Sequence, residues 1–502
     1  MLAAPKTASH TPYVKVEVTN RIGGVVRLDW ARLYTGTEDD CYHAATMPGD
    51  GSLVRARVTP PVDAGKLYRQ RVASPGPGSD FSQWVYTGQY DALVVAAASL
   101  GAEASIFWVK GSRQIYQLKS TDYGATWGSP QLLGYSPTTS VYGMAAAYRP
   151  DGDIALFFTD QAILYVMKRT GGSWGSRVAW DKSTGSLSGV ATLYDGDWNL
   201  LVTGQDPAGN YRLWSLVYGD GGAVTTGSWS ALKEVASAPS DGDFEYGGVF
   251  LAKPDVYQAF FVEKFSGTAS YRRPYWSHTV PGTGFLDSLW REPVPFDLDS
   301  EYGLALASDG DYGWLSAPCG VWRAGLTPQS LELTADVVSL RQELGTGQGR
   351  LVVELRNDDG RYAAPGQDGL ALLDAGAELS FSPGYRTAAG NEVSPGQTSV
   401  LESYQHTSAG GKANLWLYAY DAWHSLGEWR ARQQWRWNKA ADDVSVRDLL
   451  ALVLARVGLK LEVKSQSAAV TGFSPDFTIQ PDNRGDAVIA RLLSFVPDLL
   501  LV

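Results

Sequence analysis

Three features of the sequence predict a mainly β fold built from repeated small sheets. Short apolar runs alternate with Gly-, Asp- and Ser-rich turns through the first two thirds of the chain. Tryptophans return after such turns at a slowly lengthening interval. The 26 Tyr and 18 Trp suit half-buried strands, and the 55 Gly suit the hairpins that join them.

Size and charge bound the rest. A chain of 502 residues exceeds one ordinary core, so two or more domains are expected. Charged residues make up only 19%, as in a well-folded globular protein. The formal net charge of −11 argues against a dedicated nucleic-acid binder, although an acidic wall suits a channel through which DNA passes as cargo. No run approaches the roughly 20 apolar residues that span a bilayer, so no membrane insertion is expected. The opening MLAAPKTASHTP lacks the apolar core of a secretory signal. Cys41 and Cys319 cannot frame a disulfide scaffold and read as small buried groups.

The repeat sets the elements in order. Trp84, Trp127, Trp174, Trp229 and Trp290 are separated by 43, 47, 55 and 61 residues. Between them the same series returns. A small-residue strand comes first, as in ALVVAAAS, GMAAAYRP or GVATLYDG. A tight turn follows, often Asp-Gly as at Asp151-Gly152, Asp195-Gly196 and Asp309-Gly310, where positive φ is needed. Next come a buried strand (ASIFWVKG, DIALFFTD, WNLLVTGQ), a third strand and the Trp turn. Four strands per repeat, with the small-residue strand lining a crowded centre, make a β-propeller. The last repeat, GLALASDGDYGWLSAPCGVWRAGL, runs out after three strands. LDWARLYTG around Trp30 parallels SQWVYTG around Trp84, so an N-terminal strand is expected to complete it and close a ring of six blades. The predicted fold class is therefore mainly β: a six-bladed β-propeller over 24–328, inserted in an antiparallel β-barrel, with a small α/β module after it.

One turn carries a motif. Ser120, Asp122, Gly124, Thr126 and Trp127 stand in the order Ser-x-Asp-x-Gly-x-Thr-Trp, which resembles the Asp-box of sialidases and other propellers. The resemblance implies an outer structural turn in which Asp accepts backbone N–H groups, Gly takes positive φ and Trp wedges between strands. Sialidase chemistry would also need an arginine triad, a Tyr–Glu pair and an acid Asp. YRRPYW (271–276) departs from the corresponding motif and follows the Asp-box instead of preceding it. The histidines His10, His43, His278, His406 and His424 have no metal spacing. Asp-Gly-Asp turns supply two carboxylates each, too few alone for Ca²⁺. No enzyme activity, cofactor or metal is expected. Tyr302, Tyr312 and Trp322 are the candidate glycan contacts, as aromatic platforms for a sugar ring.

Beyond residue 328 the pattern changes. RLVVELRN and NLWLYAYD alternate like strands with one buried face, and Asn357-Asp358-Asp359-Gly360 is a turn cluster. The order of LRNDDGRY (355–362), AGAELSFSPGYRT, TSVLESYQHTS and LYAYDAWHSL resembles the tail-tip and baseplate-hub proteins of tailed bacteriophages. That resemblance spans about 329–502, with a β-barrel over 329–440 and an α/β module over 441–502; the leading segment 1–23, through PYVKVEVTN, supplies a strand to the same barrel. SVRDLLALVLARVGL reads as a helix capped by Ser445 and stopped at Gly458, LKLEVKS as a strand, and GDAVIARLLSF (485–495) as a second helix. The closing PDLLLV reads as an unpartnered apolar strand, as expected of a longer protein. The resemblance implies a structural virion protein of the tail tip, a homotrimer around the tail lumen in contact with other baseplate proteins. Its propeller would face the host surface or neighbouring tail proteins. The alternative is a carbohydrate-binding or sialidase-like propeller with an accessory β domain.

Overall fold

In ALVVAAASLGAEASIFWVK, a run of mostly small and β-branched side chains and a bulkier apolar run flank a Gly turn, and the chain folds back on itself there. Ala92–Leu100 pairs antiparallel with Glu103–Lys110, and Gly101 adopts φ 54° at the turn. Gln114–Ser120 and Gln131–Tyr135 complete a four-stranded sheet in simple meander order. The same unit recurs. The computed structural model describes residues 11–498 and 500, apart from 23–24, 37–41, 61–62, 112, 136–140, 161–162, 181–184, 223, 239–241, 253–255, 266–270, 288, 297–303, 346–347, 367–369 and 440–442.

Six such sheets form the unit Leu28–Leu326. Their first strands are Tyr42–Thr46, Ala92–Leu100, Gly143–Tyr148, Ser186–Asp195, Gly242–Ala252 and Ala305–Ser308. Each lies against the first strand of the next sheet, and the sixth lies against the first, so the ring closes as a six-bladed β-propeller. Blade 6 takes its outermost strand from the start of the unit. Ala31–Thr35 pairs antiparallel with Gly320–Gly325, Val321 opposite Tyr34 and Trp322 opposite Arg32. The expected parallel between Trp30 and Trp84 locates that strand. At the Asp-Gly turns only glycine takes positive φ (Gly152 98°, Gly196 78°, Gly310 92°). The aspartates act through their carboxylates: Asp151 accepts the Asp153 N–H, and Asp309 accepts those of Asp311 and Tyr312.

The second unit joins residues 1–27 to 327–502. Thr11–Thr19 lies between Ser330–Glu332 and Glu378–Thr387 in one antiparallel sheet. The sheet continues through Gln397–Ala409, Lys412–Tyr420, Arg350–Arg356 and Val337–Glu343. Its two end strands, Ser330–Glu332 and Val337–Glu343, are consecutive in the chain and joined by the 3₁₀ turn Thr334–Asp336, which bends the sheet around one core. Leu351, Val353 and Leu355 enter that core from one strand, and Leu415, Leu417 and Ala419 from its neighbour, all fully buried. Asn20 ties the strands on either side of the insertion. Its N–H donates to the Gln329 carbonyl at 3.2 Å and its Oδ1 accepts the Gln329 N–H at 2.7 Å. In the Asn357 turn, Oδ1 of Asn357 accepts the Tyr362 N–H, and the Tyr362 hydroxyl donates to Asp336 at 2.6 Å.

The C-terminal part contains four helices among the described residues, Ala422–Glu428, Val446–Arg456, Ala468–Gly472 and Gly485–Leu493. Ser445 caps the second by accepting the Asp448 N–H, and Gly458 at φ 84° ends it. The expected strand LKLEVKS does not form. Leu459 and Leu461 pack on the helical core, whereas Val463 is exposed, and the small sheet here pairs Trp435–Trp437 with Phe477–Ile479 instead. The described residues of PDLLLV are likewise not a strand. Among the described residues, no helix is long and apolar enough to cross a membrane.

Candidate functional site

The turn at 120–127 is held by its own side chains. Asp122 accepts the Thr126 N–H at 2.8 Å, the Thr126 hydroxyl at 2.6 Å and the Ser120 hydroxyl at 2.7 Å. Ser120 Oγ in turn accepts the Gly124 N–H, and Trp127 Nε1 donates to the Gly124 carbonyl. Hydrogen bonds from the Thr126 hydroxyl and N–H, and from Ser120, hold the Asp122 carboxyl down at about 2. Gly124 takes φ 82°, and Trp127 packs on the apolar seam between blades 1 and 2 beneath Arg69. Every polar atom of Asp122 thus serves the turn, and no catalytic acid is free there.

The other repeat tryptophans also pack. Trp290 is fully buried, Trp174 donates to Gln117 Oε1, and Trp229 meets Tyr218 at a 53° tilt with ring centres 4.5 Å apart. Trp30 lies edge-on to Phe260, and Trp84 carries Arg55 and Arg57 over its ring. Of the expected glycan contacts, Tyr302 lies outside the described residues. Trp322 is 3% exposed beneath Arg32 and presents no face to a sugar, because the closing strand covers it. Tyr312 is 40% exposed, with the Arg323 guanidinium 4.5 Å above its ring.

The seams between blades differ in polarity. At the middle of the second strand, the residue facing the preceding blade is Ile106, Leu156 and Leu200 in blades 2, 3 and 4. In blade 1 it is Arg55, 1% exposed, which donates to Ser316 Oγ of blade 6 and to Gln70 Oε1, each at 2.8 Å. His43 lies beside it, and burial, together with the charges of Arg55 and Arg57, drives its pKa well below the usual imidazole range. This polar set rivets blade 1 to blade 6, where the ring closes.

The seam between blades 3 and 4 holds an open cavity of about 170 Å³. Val166, Val178 and Tyr218 form its apolar side, and Lys168, Thr170, Ser173 and Ser176 its polar side. Lys168 Nζ sits 4.6 Å from the Trp198 ring and 3.6 Å from Asp220. Asp220 also receives Arg149 at 2.9 Å and the Tyr194 hydroxyl at 3.1 Å. Asp151 and Asp153 both pair with Arg149. The carboxylates of this turn therefore meet cations from their own protein, and no group of three or more metal-ligating side chains occurs among the described residues. Nothing in the sequence spacing marked the cavity: Lys168, Ser173 and Tyr218 sit on different strands of two blades and meet only through sheet packing.

No family model matches the chain, and no curated protein does. Among solved structures, an Aleuria aurantia lectin mutant in complex with Fucα1-6GlcNAc is similar at TM-score 0.37 and 11% identity, over 72% of this chain and 97% of that one. A second structure of that fungal lectin, described as a six-bladed β-propeller with a novel fucose recognition mode, gives 0.36 and 10%, over 73% and 97%. Penicillium chrysogenum α-L-arabinanase complexed with arabinobiose gives 0.35 and 12%, over 65% and 92%. These similarities to lectin and glycoside hydrolase propellers are distant and reach no further than the general architecture.

Proposed function

We propose that the propeller is a glycan-binding module whose sugar subsite is the cavity between blades 3 and 4. The observation that carries this reading is the match of size and lining. A cavity of about 170 Å³ accommodates a single sugar ring, with valine and tyrosine surface for its C–H face and an ammonium with three hydroxyls for its oxygens. Among the described residues the cavity lining includes no carboxylate to serve as acid or nucleophile, and the proposed role is binding without hydrolysis. The test is binding of the whole chain to an array of host-surface glycans, repeated with Lys168→Met and Thr170→Val. Both variants retain the strand and its apolar neighbours, so binding is expected to fall at least about tenfold; thermal unfolding should be unchanged in Thr170→Val and lowered in Lys168→Met, which also loses the Asp220 pair. Wild-type binding unaffected by either variant refutes the site.

A second reading concerns where the module works, and one observation favours it. Thr11–Thr19 and the chain after residue 327 share one sheet, so the propeller interrupts another domain. This is the arrangement expected of a tail-tip hub protein carrying a peripheral propeller. On that reading the chain is a virion component at the tail tip or baseplate, assembles as a trimer with other tail proteins, and offers its sugar site to the host surface. Sedimentation of the purified chain tests it: a trimer supports the assembly, and a monomer at all concentrations counts against it.

A further inference from the structure

The seam between blades 5 and 6 contains buried polar groups with no hydrogen-bond partner among the described residues. Ala259, Phe261 and Tyr275 face blade 4 and join its apolar core. By strand alternation, Gln258, Phe260, Trp276 and His278 face the other way, toward blade 6. Gln258 and His278 are 0% exposed and directly opposite each other across the strands. Trp276 Nε1 donates to Gln258 Oε1 at 2.9 Å, which fixes the amide and leaves its Nε2 as a donor. His278 Nδ1 lies 2.9 Å from the Thr279 carbonyl, so that nitrogen carries the proton and Nε2 is left as an acceptor. The Arg291 guanidinium lies 5.3 Å from the centre of the same indole, and the His278 ring 5.0 Å from it. Gln258 Nε2, His278 Nε2 and Arg291 Nη1 are all shut off from solvent and have no hydrogen-bond partner among the described residues. Arg291 also makes no ion pair among them.

These three atoms around one indole set two requirements. A desolvated guanidinium without a counter-charge is costly, and burial pushes its pKa down to about 10. A single water would satisfy the hydrogen bonds and leave that charge unmatched. A bare anion would match the charge and leave the His278 lone pair facing it. We propose that this seam binds a carboxylate bearing a neighbouring hydroxyl. The carboxylate accepts from Arg291 Nη1 and Gln258 Nε2, the hydroxyl donates to His278 Nε2, and Trp276 covers the C–H surface. Such a group occurs in a free small hydroxy acid and in the sugar acid of a glycan. Only the second source rests on the glycan reading above.

The experiment is calorimetric titration of the whole chain with glycolate, glucuronate, acetate and glucose. Glycolate binding more tightly than acetate, with glucose silent at this site, is the expected order. Glucuronate stronger than glycolate identifies a sugar acid as the source; the reverse identifies a free hydroxy acid. Arg291→Met is expected to remove binding, and Gln258→Leu, which changes no charge, to weaken it about tenfold or more. Thermal unfolding of both variants controls for folding. Failure of both acids to bind, equal binding of acetate and glycolate, or wild-type affinity in Arg291→Met overturns the inference. So does a crystal structure in which one ordered water bridges the three atoms. Loss of this site with neutral glycans still bound through Lys168 leaves the glycan reading standing.

Discussion

Replacing Tyr34 with Ala tests whether the strand Ala31–Thr35 holds the ring shut. Tyr34 lies opposite Val321, packs on the core between blades 6 and 1, and contacts Phe81 with ring centres 5.9 Å apart. A fully buried aromatic truncated to Ala costs about 3–5 kcal/mol, and for half-buried Tyr34 roughly 2 kcal/mol is expected. A propeller of roughly 300 residues unfolds with an entropy of about 0.6 kcal/mol per kelvin, so its melting temperature should fall by about 3 °C. Differential scanning calorimetry reads that shift, and hydrogen exchange locates it. Amides of Tyr312–Ala317 and Gly320–Gly325 should exchange faster, while those of Ile154–Asp160, across the ring, should not. Tyr142→Ala, at a residue 43% exposed, is the control and should leave both readouts unchanged. An unchanged melting temperature, or faster exchange confined to blades other than 6 and 1, would refute closure by this strand.

Two further outcomes follow from the same structure. Asp122 ionises at about 2 when folded, below the ordinary carboxylate value, so its contribution to stability is complete above about pH 4 and lost as pH falls toward 2. Thermal unfolding followed across that range should therefore show a shallower acid decline in Asp122→Asn than in the wild type, and parallel curves would exclude the effect. Asn20→Ala leaves the Gln329 N–H without its acceptor where the two strands meet and should cost about 1–2 kcal/mol in the sheet of the other unit, measured by denaturant unfolding. A loss indistinguishable from zero would mean that water replaces the bond.

Much of the architecture is legible in the chain because repetition reports it. Small-residue strands, Asp-Gly turns and the Trp30–Trp84 parallel give six blades and the strand that completes the sixth. The same physics explains PYVKVEVTN: alternation marks a strand, and the sheet after residue 328 pairs with it. LKLEVKS fails because alternation marks a face and cannot supply a partner strand. The candidate sites are hidden for a different reason. Trp322 has the composition of a sugar platform but lies under the closing strand, which sequence position does not show. The cavity at Lys168 forms only where Tyr218 of blade 4 meets blade 3, and the set around Trp276 only where strand pairing within blade 5 brings Gln258 beside His278. One polar seam did leave a trace. LVRARV puts two arginines where ASIFWV, IALFFT and WNLLVT are apolar, and Arg55 is the rivet between blades 1 and 6.

Each unit is completed by a strand translated long before its partner. Arg32 meets Cys319 across 287 residues, and Glu17 meets Ser380 across 363. A ribosome that has produced five complete blades therefore still carries a gap in the wheel, and two early strands wait unpaired for companions not yet translated. Such distant pairings are slow to form and leave sheet edges open to neighbouring nascent chains. Crowded polysomes should be the setting in which this protein most needs a chaperone.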